Sequence, residues 1–330
     1  MRRLLLADRV KDRRTSFLAP LIPALERHFE VRFIQAGPGP ELAAAIAWSD
    51  IVWLEWCWDH AAWATTSGVL GPRPCLLRLH SIEALQTDYP ARVDWARVDA
   101  LVTVGEDIDA VLHERFPAAA AARRRLVIGN GIDTARFRPD PAIAPDPHRI
   151  AWVGHIEPKK NPMLMLQVMH ALRRYATAHT LHVAGAFTDL RTLRYLRRMI
   201  PALGLEGRVR FDGEVADMPA WYADKGVLLS TTMYESFGLN IGEAMAVGAF
   251  PVIHDFPGAD TLWPAECLFG AIDDAVALIL SARPGLYRDW VAEHHGLAQQ
   301  VEAVLSVLYD LGMPSEAVSP PSTGITAPVT

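Results

Sequence analysis

Residues 231–253 read TTMYESFGLNIGEAMAVGAFPVI, and this stretch decides how the rest of the chain is read. An apolar run, Val227–Ser230, precedes it and reads as a strand. Gly238 permits a tight turn and a close backbone approach. Leu239–Val247 has helical character, and Phe250–Ile253 is a second short apolar run. Strand, turn, helix, strand is one βαβ unit of a parallel sheet. The free amides and positive dipole end of the predicted helix suit an anion, and a diphosphate fits them well. Glu235 lies before the turn, and Glu243 sits about one turn into the helix. A carboxylate offers two acceptor oxygens, which matches the paired hydroxyls of a ribose.

The same rhythm extends in both directions. Upstream strands are predicted at Arg3–Leu6, Val31–Ile34, Ile51–Leu54, Cys75–Leu79, Ala100–Val104 and Leu126–Ile128. A second series runs Ile150–Val153, Leu181–Ala184, Val209–Phe211, Val227–Ser230 and Phe250–Ile253. Helices are predicted between them, among others at Ser16–His28, Asp107–Phe116, Met163–Tyr175, Leu190–Leu203 and Asp273–Ala282. Between the two series lies Arg136–His148, whose four prolines stop helices and deny donors to a sheet. The expected organisation is therefore α/β: an N-terminal doubly wound, Rossmann-like domain over 1–135, a linker over 136–148 and a second such domain over 149–285. A helix over 286–312 is expected to cross back, followed by a disordered tail over 313–330 rich in Pro, Ser, Thr and Ala. Two such sheets enclose an interdomain cleft at the carboxyl ends of their strands.

Composition narrows the function. The chain has 330 residues, 51% hydrophobic and 21% charged, with a net charge of -6. That balance argues against a general nucleic-acid binder, which needs a basic face. Cys57, Cys75 and Cys267 are far apart and odd in number, so neither a disulfide framework nor a metal cluster is suggested, and we expect no metal. The apolar run in MRRLLLADRVKDRR is too short for a signal-peptide core and reads as a first strand. No stretch approaches the ~20 apolar residues of a membrane span. A cytoplasmic protein is expected. Basic clusters at Arg9–Arg14, Arg123–Arg125 and Arg191–Arg198 read mainly as solvated faces, with docking on the anionic inner membrane face as the minority reading. The first loop lacks G-x-G-x-x-G, which argues against a dehydrogenase.

Here the residues acquire a family. Residues 231–253 resemble the E-x7-E signature of glycosyltransferase family 4 (glycosyl transferases group 1), retaining enzymes of the GT-B fold. The resemblance implies that Glu243 contacts the nucleotide ribose and Glu235 the transferred sugar, with the amides around Phe237, Gly238 and Leu239 meeting the phosphates. AWVGHIEPKKNPMLML, residues 151–166, resembles the family's V-G-R-L…K-G/N segment. It implies that Gly154 admits the diphosphate and Lys160 binds it, with Lys159 a neighbour of equal chemistry. His155 departs from the family's arginine and cannot reproduce a fixed guanidinium fork. VIGNGIDTARF, residues 127–137, resembles the hinge segment V-I-P-N-G-V-D…F. LLRLHSIEALQTDYP, residues 76–90, resembles the family's strand–histidine segment, which implies that His80 orients the sugar.

The expected activity is transfer of a hexosyl group from an NDP-sugar, UDP- or GDP-linked, to an acceptor hydroxyl with retention, without a metal or a further cofactor. His80, Lys160 and Glu235 are the expected catalytic residues. Gly154, His155, Lys160, Glu235, Phe237, Gly238, Leu239 and Glu243 are the expected donor contacts. Acceptors of glycan, glycolipid or small-molecule type all fit. Glu55, ringed by Trp53, Trp56, Trp58 and Trp63, is a weak acceptor-site candidate. Two rivals remain: a phosphorylase or epimerase of the same architecture, and a non-catalytic sugar-nucleotide-binding partner, which His155 keeps open.

Overall fold

The computed structural model describes residues 1–9, 16–175 and 178–313. Expectations for the loop at 10–14 and for the tail beyond 313 fall outside them.

Two six-stranded parallel sheets form the protein. The first orders its strands β2-β1-β3-β4-β5-β6. These are β1 (Arg2–Asp8), β2 (Phe29–Gln35), β3 (Ile51–Glu55), β4 (Cys75–Leu79), β5 (Ala100–Thr103) and β6 (Arg125–Val127). The second orders them β12-β11-β10-β7-β8-β9. Its strands are β7 (Asp146–Val153), β8 (Thr180–Ala184), β9 (Val209–Gly213), β10 (Lys225–Ser230), β11 (Phe250–His254) and β12 (Leu268–Phe269). Helices cover both faces of each sheet, so central strands are mostly apolar, with charged residues such as Glu55 in β3 and Arg78 in β4 buried among them. In β1, Leu5 and Ala7 enter the core on one face, while Leu4 and Leu6 enter the core on the other. In β7, Ile150 and Trp152 divide from Ala151 in the same way.

Strand order reverses once in each sheet, between β1 and β3 and between β7 and β10. At such switch points the following loops part and leave a crevice beyond the carboxyl ends of the strands. The two crevices face each other across the cleft.

Several boundaries differ from the sequence reading. Ser16–His28 is not one helix: only Ile22–Leu25 is α-helical, with Pro20 just before it and Pro23 in its first turn, where no amide donor is needed. β7 begins at Asp146, inside the expected linker, where Asp146 pairs with Lys225 through an irregular register. The two-residue β12 is too short to read as a strand from sequence. The terminal helix is two helices, Arg288–His295 and Leu297–Gly312, parted at the extended Gly296. There the Ile132 amide donates to the His295 carbonyl at 2.7 Å and the Leu297 amide donates to the Ile132 carbonyl at 2.9 Å. The second of these helices then packs Val304, Val307 and Leu308 into the core of the first sheet. Among the described residues, no helix is long and apolar enough to cross a membrane. Cys57, Cys75 and Cys267 are free and buried.

Candidate active site

The cleft holds a cavity of about 630 Å³ between the two switch points. Its C-terminal wall is built from the loops after β7 and β10. Gly154, at φ 149°, follows β7, and a Cβ there would meet the Lys160 side chain at 3.3 Å. Glycine thus gives the lysine its path into the crevice. The lysine loop is held by backbone bonds: the Met233 amide donates to the Lys159 carbonyl at 2.9 Å, and Thr231 Oγ1 donates to the Lys160 carbonyl at 2.8 Å. Asn161, left-handed at φ 47°, then caps the helix Pro162–Leu172 by accepting from the Leu164 amide.

Lys160 Nζ forms a close ion pair with Glu235 Oε1, and Lys159 Nζ lies 3.7 Å from Glu235 Oε2. Glu157 and Glu214 also line this wall, so its positive charge is local to the two lysines rather than a net excess. Gly238, at φ 93°, starts the helix Leu239–Val247, whose first amides open on the same cavity. Phe237 is buried against Trp263 and His295 and fixes the turn from behind. Asn240 Nδ2 donates to the Val153 carbonyl at 2.9 Å, tying this helix to the end of β7.

The N-terminal wall is of another kind. His80 immediately precedes the helix Ser81–Gln86 and lines the cavity, stacked on Phe17 with ring centroids 5.0 Å apart and tilted against Trp56 at 4.2 Å. Behind it, His80 Nε2 donates to Glu55 Oε1 at 2.8 Å. Glu55 Oε2 accepts from Trp53 Nε1 at 3.0 Å, and Arg78 Nη1 lies 3.5 Å from Oε1. Arg78 also bonds Asn130 Oδ1, which brings the network back to the cavity. Burial would raise the Glu55 carboxyl, but Arg78 and the bonds from His80 and Trp53 hold it below the usual carboxylate range. Burial pushes the His80 imidazole down, against the pull of Glu55. Hydrogen bonds join the walls: Ser236 Oγ donates to Ser81 Oγ at 2.5 Å and accepts from the Ser81 amide at 3.1 Å, and Tyr234 Oη donates to Asp107 Oδ2 at 2.5 Å.

The structure thus brings together His80, Gly154, His155, Lys160, Glu235, Phe237, Gly238 and Leu239 around one cavity. Glu243 does not line it. Its carboxyl is pushed up to about 7 by burial, with Arg136 pulling the other way. Glu55 is no surface contact for an acceptor: it is fully buried at the end of β3, beneath the cavity rather than on it. Trp53 is core, whereas Trp56 lines the cavity, held at φ 73°. Sequence reasoning missed Arg78, Ser81, Ser236 and Asn240. The expectation of no metal also took the chain to hold no D-x-D triplet, whereas Asp107-Ile108-Asp109 is one. Asp107 is engaged by Tyr234, and Asp109 lies near Thr103 and His113. Among the described residues, no three His, Cys, Asp or Glu side chains are grouped to share a metal ion.

With this geometry described, known proteins offer a comparison. Residues 133–263 match the family model of glycosyl transferases group 1. The lipopolysaccharide core biosynthesis mannosyltransferase LpcC of Rhizobium leguminosarum bv. viciae is 28% identical over 182 residues, covering 52% of this chain and 49% of that protein. The D-inositol 3-phosphate glycosyltransferase of Salinispora tropica is 32% identical over 182 residues, covering 48% of this chain and 37% of that protein. The matches therefore span about half or less of these relatives' length. Among solved structures, HepE of Anabaena in complex with UDP-glucose superposes with a TM-score of 0.74 at 16% identity, over 94% of this chain and all (100%) of that one. Sucrose-phosphate synthase of Thermosynechococcus elongatus superposes at 0.70 with 16% identity, over 94% of this chain and 99% of that one. The fold is GT-B.

Proposed function

We propose that the protein is a retaining glycosyltransferase that moves a hexosyl group from an NDP-sugar to an acceptor hydroxyl. One observation carries the reading. The switch point of the second sheet presents Lys160 and Glu235 beside the amides that follow Gly238, all on the cavity that His80 closes from the other lobe. The match of residues 133–263 to the group 1 transferase model supports it.

In this account the diphosphate lies against Lys160, Lys159 and the first turn of the helix Leu239–Val247. A diphosphate draws Lys160 away from Glu235, and the freed carboxylate then accepts from hydroxyls of the sugar. As the glycosidic bond breaks, negative charge grows on the leaving phosphate, where the ammonium and amides are already oriented. The departing phosphate takes the proton of the acceptor hydroxyl on the same face, so no protein base is required. Lys160 and the amides supply the charge stabilisation, and the reading is metal-independent. Glu243 is assigned to the ribose, just outside the cavity, and Asn240 fixes the helix that carries it. UDP and GDP are the preferred nucleotides.

The test is product analysis with UDP- and GDP-hexoses, a panel of acceptor saccharides, and excess chelator throughout. Transfer with the donor's anomeric configuration kept supports the reading. Phosphate-dependent release of sugar phosphate, or donor epimerisation without acceptor, makes it a phosphorylase or epimerase. Nucleotide-sugar binding with neither transfer nor donor hydrolysis identifies a non-catalytic binding partner, the alternative that His155 in the arginine position keeps open.

A further inference from the structure

Glu55 and Arg78 stand directly opposite each other on neighbouring parallel strands, both essentially excluded from solvent. Taking two charges out of water costs several kcal/mol each unless their geometry compensates. A pair of that cost placed behind a cavity residue calls for a reason beyond stability.

The reason lies in what Glu55 does to His80. An ionised carboxylate only accepts, so the ring nitrogen 2.8 Å from Oε1 must carry a proton. The second oxygen, Oε2, is taken by Trp53 Nε1, an obligate donor, so the carboxylate cannot rotate freely. Phe17 and Trp56 both pack against the imidazole, with ring centroids 5.0 and 4.2 Å from it, and a ring flip would break the bond to Glu55. In a neutral imidazole protonated at Nε2, Nδ1 is a bare lone pair. Among the described residues, the His80 ring makes no other hydrogen bond, and it lines the cavity.

We propose that Glu55 is a positioning residue that locks His80 as the Nε2–H tautomer, so that His80 meets the bound sugar through Nδ1 as an acceptor and selects a ligand with a donating hydroxyl at that point. This rests on the transferase reading above. It assigns Glu55 a role through His80, not a contact with substrate.

The tautomer is observable without any sugar nucleotide. Long-range proton–nitrogen correlation of protein labelled with ¹⁵N-histidine, with His80 assigned through His80→Gln, should show a protonated Nε2 and a bare Nδ1. In Glu55→Gln only one oxygen remains, and Trp53 claims it. The amide then donates to Nε2 and drives the proton to Nδ1. The expected result is an inverted tautomer, unchanged affinity for the nucleotide diphosphate alone, and at least a tenfold loss of kcat/KM for transfer. Trp53→Phe combined with Glu55→Gln frees the amide oxygen for His80 and should restore both the tautomer and most of the lost rate. A protonated Nδ1 in the unmodified protein overturns the proposal. So does a rate loss in Glu55→Gln with the tautomer unchanged. A correct tautomer in a protein that transfers no sugar would instead leave the positioning intact and sink the transferase reading. If Glu55→Gln does not fold, the measurement on the unmodified protein still decides.

Discussion

The two switch points have the same place in their sheets and opposite chemistry. Beyond β7 and β10 the crevice is glycine-lined and open, and its ion pair, Lys160 with Glu235, keeps some contact with solvent. Beyond β1 and β3 the crevice is aromatic, and its ion pair, Glu55 with Arg78, is sealed beneath it. An open pair can exchange partners when an anion arrives. A sealed pair cannot, and serves by holding a neighbour still. One wall is built to be rearranged by its ligand and the other to resist rearrangement.

That contrast predicts opposite responses to losing one charge. Arg78→Met strands Glu55 in the interior and should cost about 3–5 kcal/mol of stability. Denaturant unfolding measures it, and a loss under about 1 kcal/mol would show that the sealed pair is not a structural necessity. Lys160→Ala should cost under about 1 kcal/mol of stability, because the pair is partly solvated and Lys159 remains beside Glu235. It should nonetheless lower kcat by about 10²–10³, the range for one preoriented group that stabilises a leaving oxyanion. Unchanged turnover would break the comparison from the other side.

The smallest effect concerns Glu243. Its carboxyl is raised to about 7, chiefly by burial, so its ionised form gains as pH rises through neutrality. If the carboxylate accepts from the ribose hydroxyls, donor affinity should rise several-fold between about pH 6 and 8, and Glu243→Gln should flatten that rise. The sign for stability is the reverse. A carboxyl raised in the folded state binds more protons than the unfolded chain between its two pKa values. This contribution therefore falls as pH climbs from the ordinary carboxylate range through about 7. Calorimetric titration of the nucleotide at both pH values settles the binding half.

The same contrast governs what the sequence discloses. The open wall is contiguous: residues 154–160 and 235–243 carry it in two short runs whose glycines, lysines and glutamates stand in fixed spacing. The sealed wall is assembled from Trp53, Glu55, Arg78, His80 and Asn130, which meet only when β3 and β4 pair and the segment after β6 docks beside them. A signal was present: one glutamate ends the apolar run IVWLE, and one arginine interrupts CLLRL. Opposite charges alone in two buried strands demand each other as partners, whereas the sequence reading made Glu55 a weak acceptor-site candidate. The strands themselves were legible because central parallel strands are predominantly apolar, and Cys75–Leu79 is placed to the residue despite Arg78. The break at Gly296 was not legible, since it depends on Ile132, more than a hundred residues away, docking between His295 and Leu297.

The most direct test of the central claim is titration of UDP, GDP and their hexose conjugates into the unmodified protein and into Lys160→Ala, read as the shift in melting midpoint. A ligand at about 100 times its Kd stabilises the folded state by ~2.7 kcal/mol. In a chain of this size that moves the midpoint several degrees, at roughly 2–4 °C per kcal/mol. The account predicts a shift with one nucleotide class, larger for the sugar conjugate than for the bare diphosphate, and most of it lost in Lys160→Ala. No shift with any nucleotide in folded protein, or an equal shift in both proteins, would contradict it.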